Sequence, residues 1–93
     1  MIVERNPHVI FRDFADDRGG VLFDTETTAY HSLNELGSRI WRMLERPASL
    51  SELVSRLVES LDAPPPSLRE DVATYVTELA SRDLVRLIPS RRD

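Results

Sequence analysis

The spacing of apolar residues changes at Asn34, and this change constrains the fold more than any other feature of the chain. Before Asn34 the apolar residues fall in short β-branched and aromatic runs bounded by turn formers, which is typical of strands. After Asn34 they recur every three or four residues, which is typical of helices that pack through one face. A 93-residue chain with strands first and helices after is predicted to form one α+β domain.

Three strands are predicted ahead of the helical segment. The first covers His8 to Phe14, the second Val21 to Asp24 and the third Thr28 to Leu33. Asp16–Gly20 and Thr25–Thr27 are the connections, and the glycines of the first can supply positive φ. Short connections favour an antiparallel meander in which the first and third strands form the edges.

Three helices are predicted after the strands. The first begins at the N-cap residue Asn34 and ends before Pro47. The second begins at a capping box, Ser49–Glu52. Pro64–Pro66 cannot continue a helix, and a second capping box, Ser67–Glu70, is predicted to begin the third.

The end of the chain completes the predicted architecture. The third helix is predicted to run to about Arg82, with a turn at Asp83, and Leu84–Ile88 is apolar enough to pack back on the domain. Residues 89–93 are predicted to form a flexible tail, which leaves an ordered core of about 8–88. The prediction is a winged-helix-like α+β fold with a three-stranded antiparallel sheet followed by a three-helix bundle.

The residue content excludes several kinds of chemistry. The chain has no cysteine, so a disulfide, a thiolate metal site and a cysteine nucleophile are excluded. Its two histidines, His8 and His31, lie in different predicted strands and have no metal-ligand spacing. The carboxylates are scattered over turns and helix faces. We therefore predict no catalytic residue, no metal site, no cofactor and no enzymatic activity.

The apolar stretches also indicate where the protein resides. The beginning of the chain, Met1–Pro7, contains an acid and a proline where a signal peptide needs basic and then apolar residues. No apolar stretch approaches the roughly 18–20 residues that span a bilayer. A cytoplasmic protein without membrane association is predicted.

Nucleic-acid binding is disfavoured by charge. The formal net charge is −4, whereas phosphate contacts usually demand a basic excess. Arg39, Arg42 and Arg46 form a basic row on the first predicted helix, which we interpret as a solvated face. Three helices and a small sheet are also the parts of a winged helix, so a DNA-binding or scaffold module stays open as the alternative.

Peptide binding is favoured by the third predicted strand. Thr28–Leu33 contains none of the lysines or prolines that usually protect an edge strand, so it could pair with another strand, either a peptide or a second copy of the chain. Proline at His31 is expected to weaken such pairing if the His31 N–H faces outward. Tyr75 stands next to Val76 in the third helix and is predicted to lie at the margin of the core, either as an ordinary core-edge residue or as the lip of a groove.

A family resemblance adds to this interpretation. It is carried most specifically by Tyr30–Gly37, and further by Gly20–Asp24, Ile40–Trp41, Leu50–Val54, Leu61–Ala63, Asp71–Val72 and Leu79–Leu84. On these residues the chain resembles the PqqD-like family over about residues 8–88. It departs from the family at Asp83, where a glycine is common, and aspartate adopts the left-handed conformation less readily.

The resemblance implies a leader-peptide recognition domain, also called a RiPP recognition element. Such a domain binds the leader of a ribosomally made precursor peptide and presents the peptide to a modifying enzyme, such as a radical-SAM enzyme or a leader peptidase. It implies a leader strand added beside the third strand, against the third helix. Carried onto this chain, the docking edge is Thr28, Ala29, Tyr30, His31 and Ser32, and the facing wall is Tyr75, Glu78, Leu79 and Arg82.

Overall fold

The chain forms six strands and three helices in the part that the structure describes. The structure is a computed structural model, and it describes residues 1–14 and 18–89. In chain order the elements are β1 (Ile2–Arg5), β2 (Val9–Asp13), β3 (Gly20–Asp24), β4 (Tyr30–Leu33), α1 (Glu35–Met43), β5 (Ala48–Ser49), α2 (Leu50–Ser60), α3 (Leu68–Ser81) and β6 (Val85–Ile88).

The predicted three-stranded meander is confirmed. The strands pair antiparallel in the order β2-β3-β4, so β2 and β4 are the edges. β3 is buried at every second residue, and its Leu22 side chain is inaccessible to solvent. This alternation follows from the two-residue period of a strand with one face against the core. The predicted turn at Asp16–Gly20 lies partly outside the described residues.

A second small sheet was not predicted. β1 lies between β5 and β6. All four of its residues pair with β6, although the two strands stand near opposite ends of the chain. Val3 and Val85 fill the core from this sheet, so residues ahead of position 8 also contribute to the core. The prediction that Leu84–Ile88 packs back on the domain is confirmed. Of the predicted tail, residues 90–93 lie outside the described residues.

The helices begin largely where their caps predict. The Asn34 side chain accepts a hydrogen bond from the Gly37 N–H at 2.8 Å. Ser49 and Glu52 form the predicted capping box, with both reciprocal bonds present. The second predicted capping box is wrong, because the Ser67 hydroxyl donates to the Asp71 carboxylate at 3.0 Å and caps no backbone N–H. An acid four residues into α3 competes with the backbone for this hydroxyl.

One core joins the helices to both sheets. Its fully or almost fully buried apolar side chains come from the meander, from the second sheet and from all three helices. Trp41 is the largest of them, and Arg5 lies over its ring at 4.9 Å while also donating to its carbonyl. The helices therefore cover one face of the meander and leave the opposite face in solvent.

The end of α3 is closed by a left-handed residue. Asp83 has a φ of 60°, the Leu84 N–H donates to the Leu79 carbonyl, and the Asp83 N–H donates to the Ala80 carbonyl. These two bonds form a Schellman motif, which usually places glycine at the left-handed position. The buried Asn6 side chain donates to both the carbonyl and the carboxylate of Asp83, which holds the turn against β1.

We expect Asn6→Ala to lower the free energy of unfolding by about 1–3 kcal/mol, because it removes both hydrogen bonds that the buried Asn6 side chain donates to Asp83. Urea unfolding followed by circular dichroism measures the loss. The control is Glu4→Ala, which removes only a solvent-exposed ion pair with Arg86 and should cost less than about 1 kcal/mol. Equal losses in the two variants would contradict this role of Asn6.

Candidate functional site

The free edge of β4 is defined by its register with β3. Leu22 lies opposite His31, and Phe23 lies opposite Tyr30. The Asp24 N–H donates to the Ala29 carbonyl at 2.9 Å, which makes that pair a hydrogen-bonded one. Hydrogen-bonded and non-hydrogen-bonded pairs alternate along an antiparallel ladder, so the next hydrogen-bonded pair is Leu22 with His31.

Two residues therefore present unpaired backbone groups at this edge. Tyr30 and Ser32 occupy the non-hydrogen-bonded positions, and their N–H and C=O groups point away from β3. Their four groups are the ones that an added strand can bind. The His31 N–H points toward β3 instead, so the condition attached to the proline test at His31 is not met.

The predicted docking edge is longer than the strand. Thr28 lies in the turn with a φ of 61°, and its N–H donates to the Asp24 carbonyl at 2.7 Å. The Ala29 N–H donates to the Thr27 hydroxyl oxygen at 3.3 Å, and the Ala29 carbonyl already accepts from the Asp24 N–H. Three of the four backbone N–H and C=O groups of these two residues are used inside the turn, so the part of the predicted edge that lies in the strand is Tyr30–Ser32.

A groove runs between β4 and α3. It has a volume of about 200 Å³ and is lined by His31, Ser32, Leu33, Tyr75, Glu78, Leu79, Arg82 and Leu84. Six of the nine predicted site residues thus meet around one space. The groove is smaller than the roughly 300–1,000 Å³ of small-molecule sites, so its size suits inserted side chains rather than a bound cofactor.

The other three predicted residues lie elsewhere, and two lining residues were missed. Tyr30 points to the opposite face of the sheet, and Thr28 and Ala29 lie in the turn. The missed residues, Leu33 and Leu84, are buried and form the apolar floor together with Leu79. The alternation of β4 could have identified Leu33, because it shares a face with His31. The position of Leu84 in the groove depends on the left-handed turn at Asp83 that ends α3.

The rim of the groove is polar and carries both charges. Glu78 and Arg82 are exposed on α3, one turn apart. Burial raises the pKa of the Tyr75 hydroxyl, and Glu78 raises it further, while a hydrogen bond with the Asn34 backbone and the Arg82 charge lower it. The net effect is a pKa above the ordinary value. Tyr75 is therefore neutral at pH 7, and the groove offers a hydroxyl and two opposite charges around an apolar floor.

Tyr75 also fixes α3 against the beginning of α1. A Cβ atom at Gly37 would lie 2.0 Å from the Tyr75 hydroxyl oxygen and 2.4 Å from its ring carbon Cζ, so only glycine allows this approach. The glycine that the sequence pattern singled out in Tyr30–Gly37 is thereby explained. The contact sets the position of α3 and hence the width of the groove.

We expect Gly37→Ala to lower the free energy of unfolding by about 1–3 kcal/mol, because the added methyl group overpacks against the Tyr75 ring. In the Tyr75→Ala background the same methyl group should cost almost nothing. Urea unfolding of the wild type, both single variants and the double variant gives the coupling energy. Additive losses would contradict the contact.

The turn before β4 is organised by Asp24. Its buried carboxylate accepts from the Glu26 N–H at 2.9 Å and the Thr27 N–H at 3.1 Å, and His8 Nε2 lies 3.6 Å away. Burial alone would raise the pKa of Asp24, but these hydrogen bonds and His8 outweigh it and hold the pKa below its ordinary value. The carboxylate therefore fixes the point at which β4 begins.

We expect Asp24→Ala to lower the thermal unfolding midpoint at pH 7. Since the folded-state pKa lies below the unfolded one, the contribution is complete above about pH 4 and is lost as the pH falls through the folded-state pKa. The difference between variant and wild type should therefore shrink in acid. Glu26→Ala, which removes an exposed carboxylate from the same turn, is the control. A difference that does not shrink in acid would contradict the assignment.

Three other kinds of feature could provide a functional site: a metal centre, a membrane-spanning helix and the basic row on α1. Among the described residues, no group of three or more histidines or carboxylates could hold a metal ion. In the same residues, no helix is long and apolar enough to cross a membrane. In the basic row on α1, Arg39 pairs with Glu35 at 3.3 Å and Arg42 pairs with Asp13, so carboxylates partly neutralise it.

Comparison with known proteins identifies the family. Residues 19–85 match the family described as coenzyme PQQ synthesis protein D (PqqD). The chain belongs to this family. The match spans the meander from β3 onward, all three helices and the start of β6, so it includes both walls of the groove. Among curated proteins, no sequence matches the chain.

Two solved structures share the fold of this PqqD family member. One is TbiB1 in complex with the TbiA(beta) leader peptide, with a TM-score of 0.78 and 23% identity over 94% of this chain and 99% of that one. The other is a lasso peptide synthetase B1 complexed with the leader peptide, with a TM-score of 0.74 and 20% identity over 91% and 98% of the two chains. These similarities confirm the predicted arrangement of a three-stranded antiparallel sheet with three helices.

Proposed function

We propose that this protein is a cytoplasmic, non-catalytic recognition domain that binds the leader of a precursor peptide by strand addition to β4. The observation that carries the proposal is the free edge of Tyr30 and Ser32 directly beside the groove of α3. An extended peptide at this edge would bond to the backbone and alternate its side chains between the groove and the outer face. Membership of the PqqD family and the two leader-bound structures of the same fold support the proposal.

The binding energy must come largely from the groove. Four backbone groups at about 1 kcal/mol net each contribute about 4 kcal/mol. A micromolar complex needs about 8 kcal/mol, and ordering a flexible peptide costs several more. Each buried Leu- or Phe-sized side chain contributes about 1.5–3 kcal/mol. The leader therefore needs two or three apolar anchors, of which the floor formed by Leu33, Leu79 and Leu84 receives at least one.

The bound peptide would be delivered to a modifying enzyme of lasso-peptide or quinone-cofactor biosynthesis. The family description supports the second pathway and the two similar structures support the first. Binding to DNA is disfavoured because Glu70, Asp71 and Glu78 are exposed along α3, where a recognition helix needs donors to phosphate and bases.

The test is a titration of the labelled protein with leader segments from short reading frames encoded beside its gene, followed by amide chemical shifts. We expect saturable shifts at Tyr30–Leu33 and at Tyr75–Arg82. A DNA duplex titrated at low salt is the comparison. Absence of shifts with every leader, in a folded protein, would overturn the proposal, and saturable shifts with DNA would favour the winged-helix alternative.

We further expect Ser32→Pro to weaken leader binding at least about fivefold, because it removes one outward N–H worth about 1 kcal/mol and places a ring at the edge. Proline is tolerated at edge positions whose N–H faces solvent. Asp13→Pro, on the opposite edge strand β2, is the matched control and should leave the affinity unchanged. Equal affinity of the Ser32→Pro variant and the wild type would place the peptide elsewhere.

A further inference from the structure

The solvent-exposed face of the meander carries an aligned apolar row. Ile10, Phe23 and Tyr30 lie opposite one another on β2, β3 and β4. Tyr30 is 71% exposed and Ile10 is 56% exposed, while the rings of Phe23 and Tyr30 pack at a centroid distance of 4.8 Å. Single exposed apolar residues need no explanation, but three in one cross-strand row form a continuous surface that ends at the free edge.

The neighbouring row on the same face has a different character. It consists of Arg12, Val21 and Ser32, which are paired in the same way across the three strands. At the free edge this row ends in a hydroxyl group, whereas the first row ends in an aromatic ring. A strand added to β4 would therefore meet an apolar side chain at one outward position and a small polar one two residues away.

We propose that Tyr30 selects leaders with an apolar residue at the outward position beside it, and that the outward position beside Ser32 has no such requirement. This inference rests on the proposed strand addition and specifies the class of peptide that it accepts. The leader side chain becomes the fourth member of the row Ile10–Phe23–Tyr30. The residue between the two outward positions faces the groove, so the leader carries an outward apolar residue directly next to an anchor.

The size of the effect follows from cross-strand packing. Directly opposed apolar and aromatic side chains are separated by about 4.5–5.5 Å between Cβ atoms and interact with measurable strength. For one pair this corresponds to about two- to fivefold in affinity. The effect is smaller than that of a groove anchor, so Tyr30 tunes the choice among leaders rather than deciding whether they bind.

The experiment is a serine scan of a leader segment that saturates the titration described above, measured by fluorescence anisotropy. Each serine variant of the leader is titrated against the wild-type domain, Tyr30→Ser and Ile10→Ser. We expect one apolar leader position whose replacement costs about two- to fivefold with the wild type and with Ile10→Ser, and nothing with Tyr30→Ser. Replacement two residues away, beside Ser32, should cost nothing with any of the three proteins.

The outcomes separate this inference from the proposed function. A leader that binds the wild type but has no position coupled to Tyr30 would overturn the selectivity and leave strand addition intact. Coupling of equal size to Ile10→Ser would also overturn it, because Ile10 lies two strands from the edge. If no leader binds the wild-type domain, strand addition fails and the selectivity fails with it.

Discussion

The pairing of β4 with β3 is the constraint on which the rest of the site depends. Because side chains alternate with a period of two, the burial of Leu22 and Leu33 against the helices fixes which side chains of β4 face inward. The same register fixes which backbone groups are used in the ladder and which remain at the edge. A shift of one residue would turn the His31 side chain to the solvent face. It would also place the N–H and C=O groups of His31 and Leu33 at the free edge, in place of those of Tyr30 and Ser32.

Two local devices hold this pairing in place. The Asp24 carboxylate closes the turn that begins β4, and the contact between Tyr75 and Gly37 fixes α3 at a set distance from the strand. The groove is thus bounded by a strand whose starting point is held by one buried acid and by a helix that packs closely against a glycine.

Much of the architecture could be predicted because it rests on local patterns. The meander and the three helices follow from hydrophobic period, turn formers and caps, and the family resemblance brought six of the groove residues together. The second sheet could not be predicted, because β1 pairs with β6 from the opposite end of the chain. Strands this short contain only two or three apolar residues, and such a pattern does not indicate which strand they pair with. The third strand of the meander is shorter than predicted, because Thr28 is β-branched and yet adopts a left-handed conformation in the turn. The direction of each N–H at the edge depends on the register of β4 with β3, and a local sequence pattern does not specify that register.

Residue-resolved amide hydrogen exchange, with and without a bound leader, tests the central claim most directly. In the free domain the amides of His31 and Leu33 should exchange slowly, because they donate to β3, while those of Tyr30 and Ser32 should exchange rapidly. Strand addition predicts that leader binding slows Tyr30 and Ser32 by far more than any amide of β2. A leader that binds without slowing these two amides would contradict the claim that β4 is where the peptide docks.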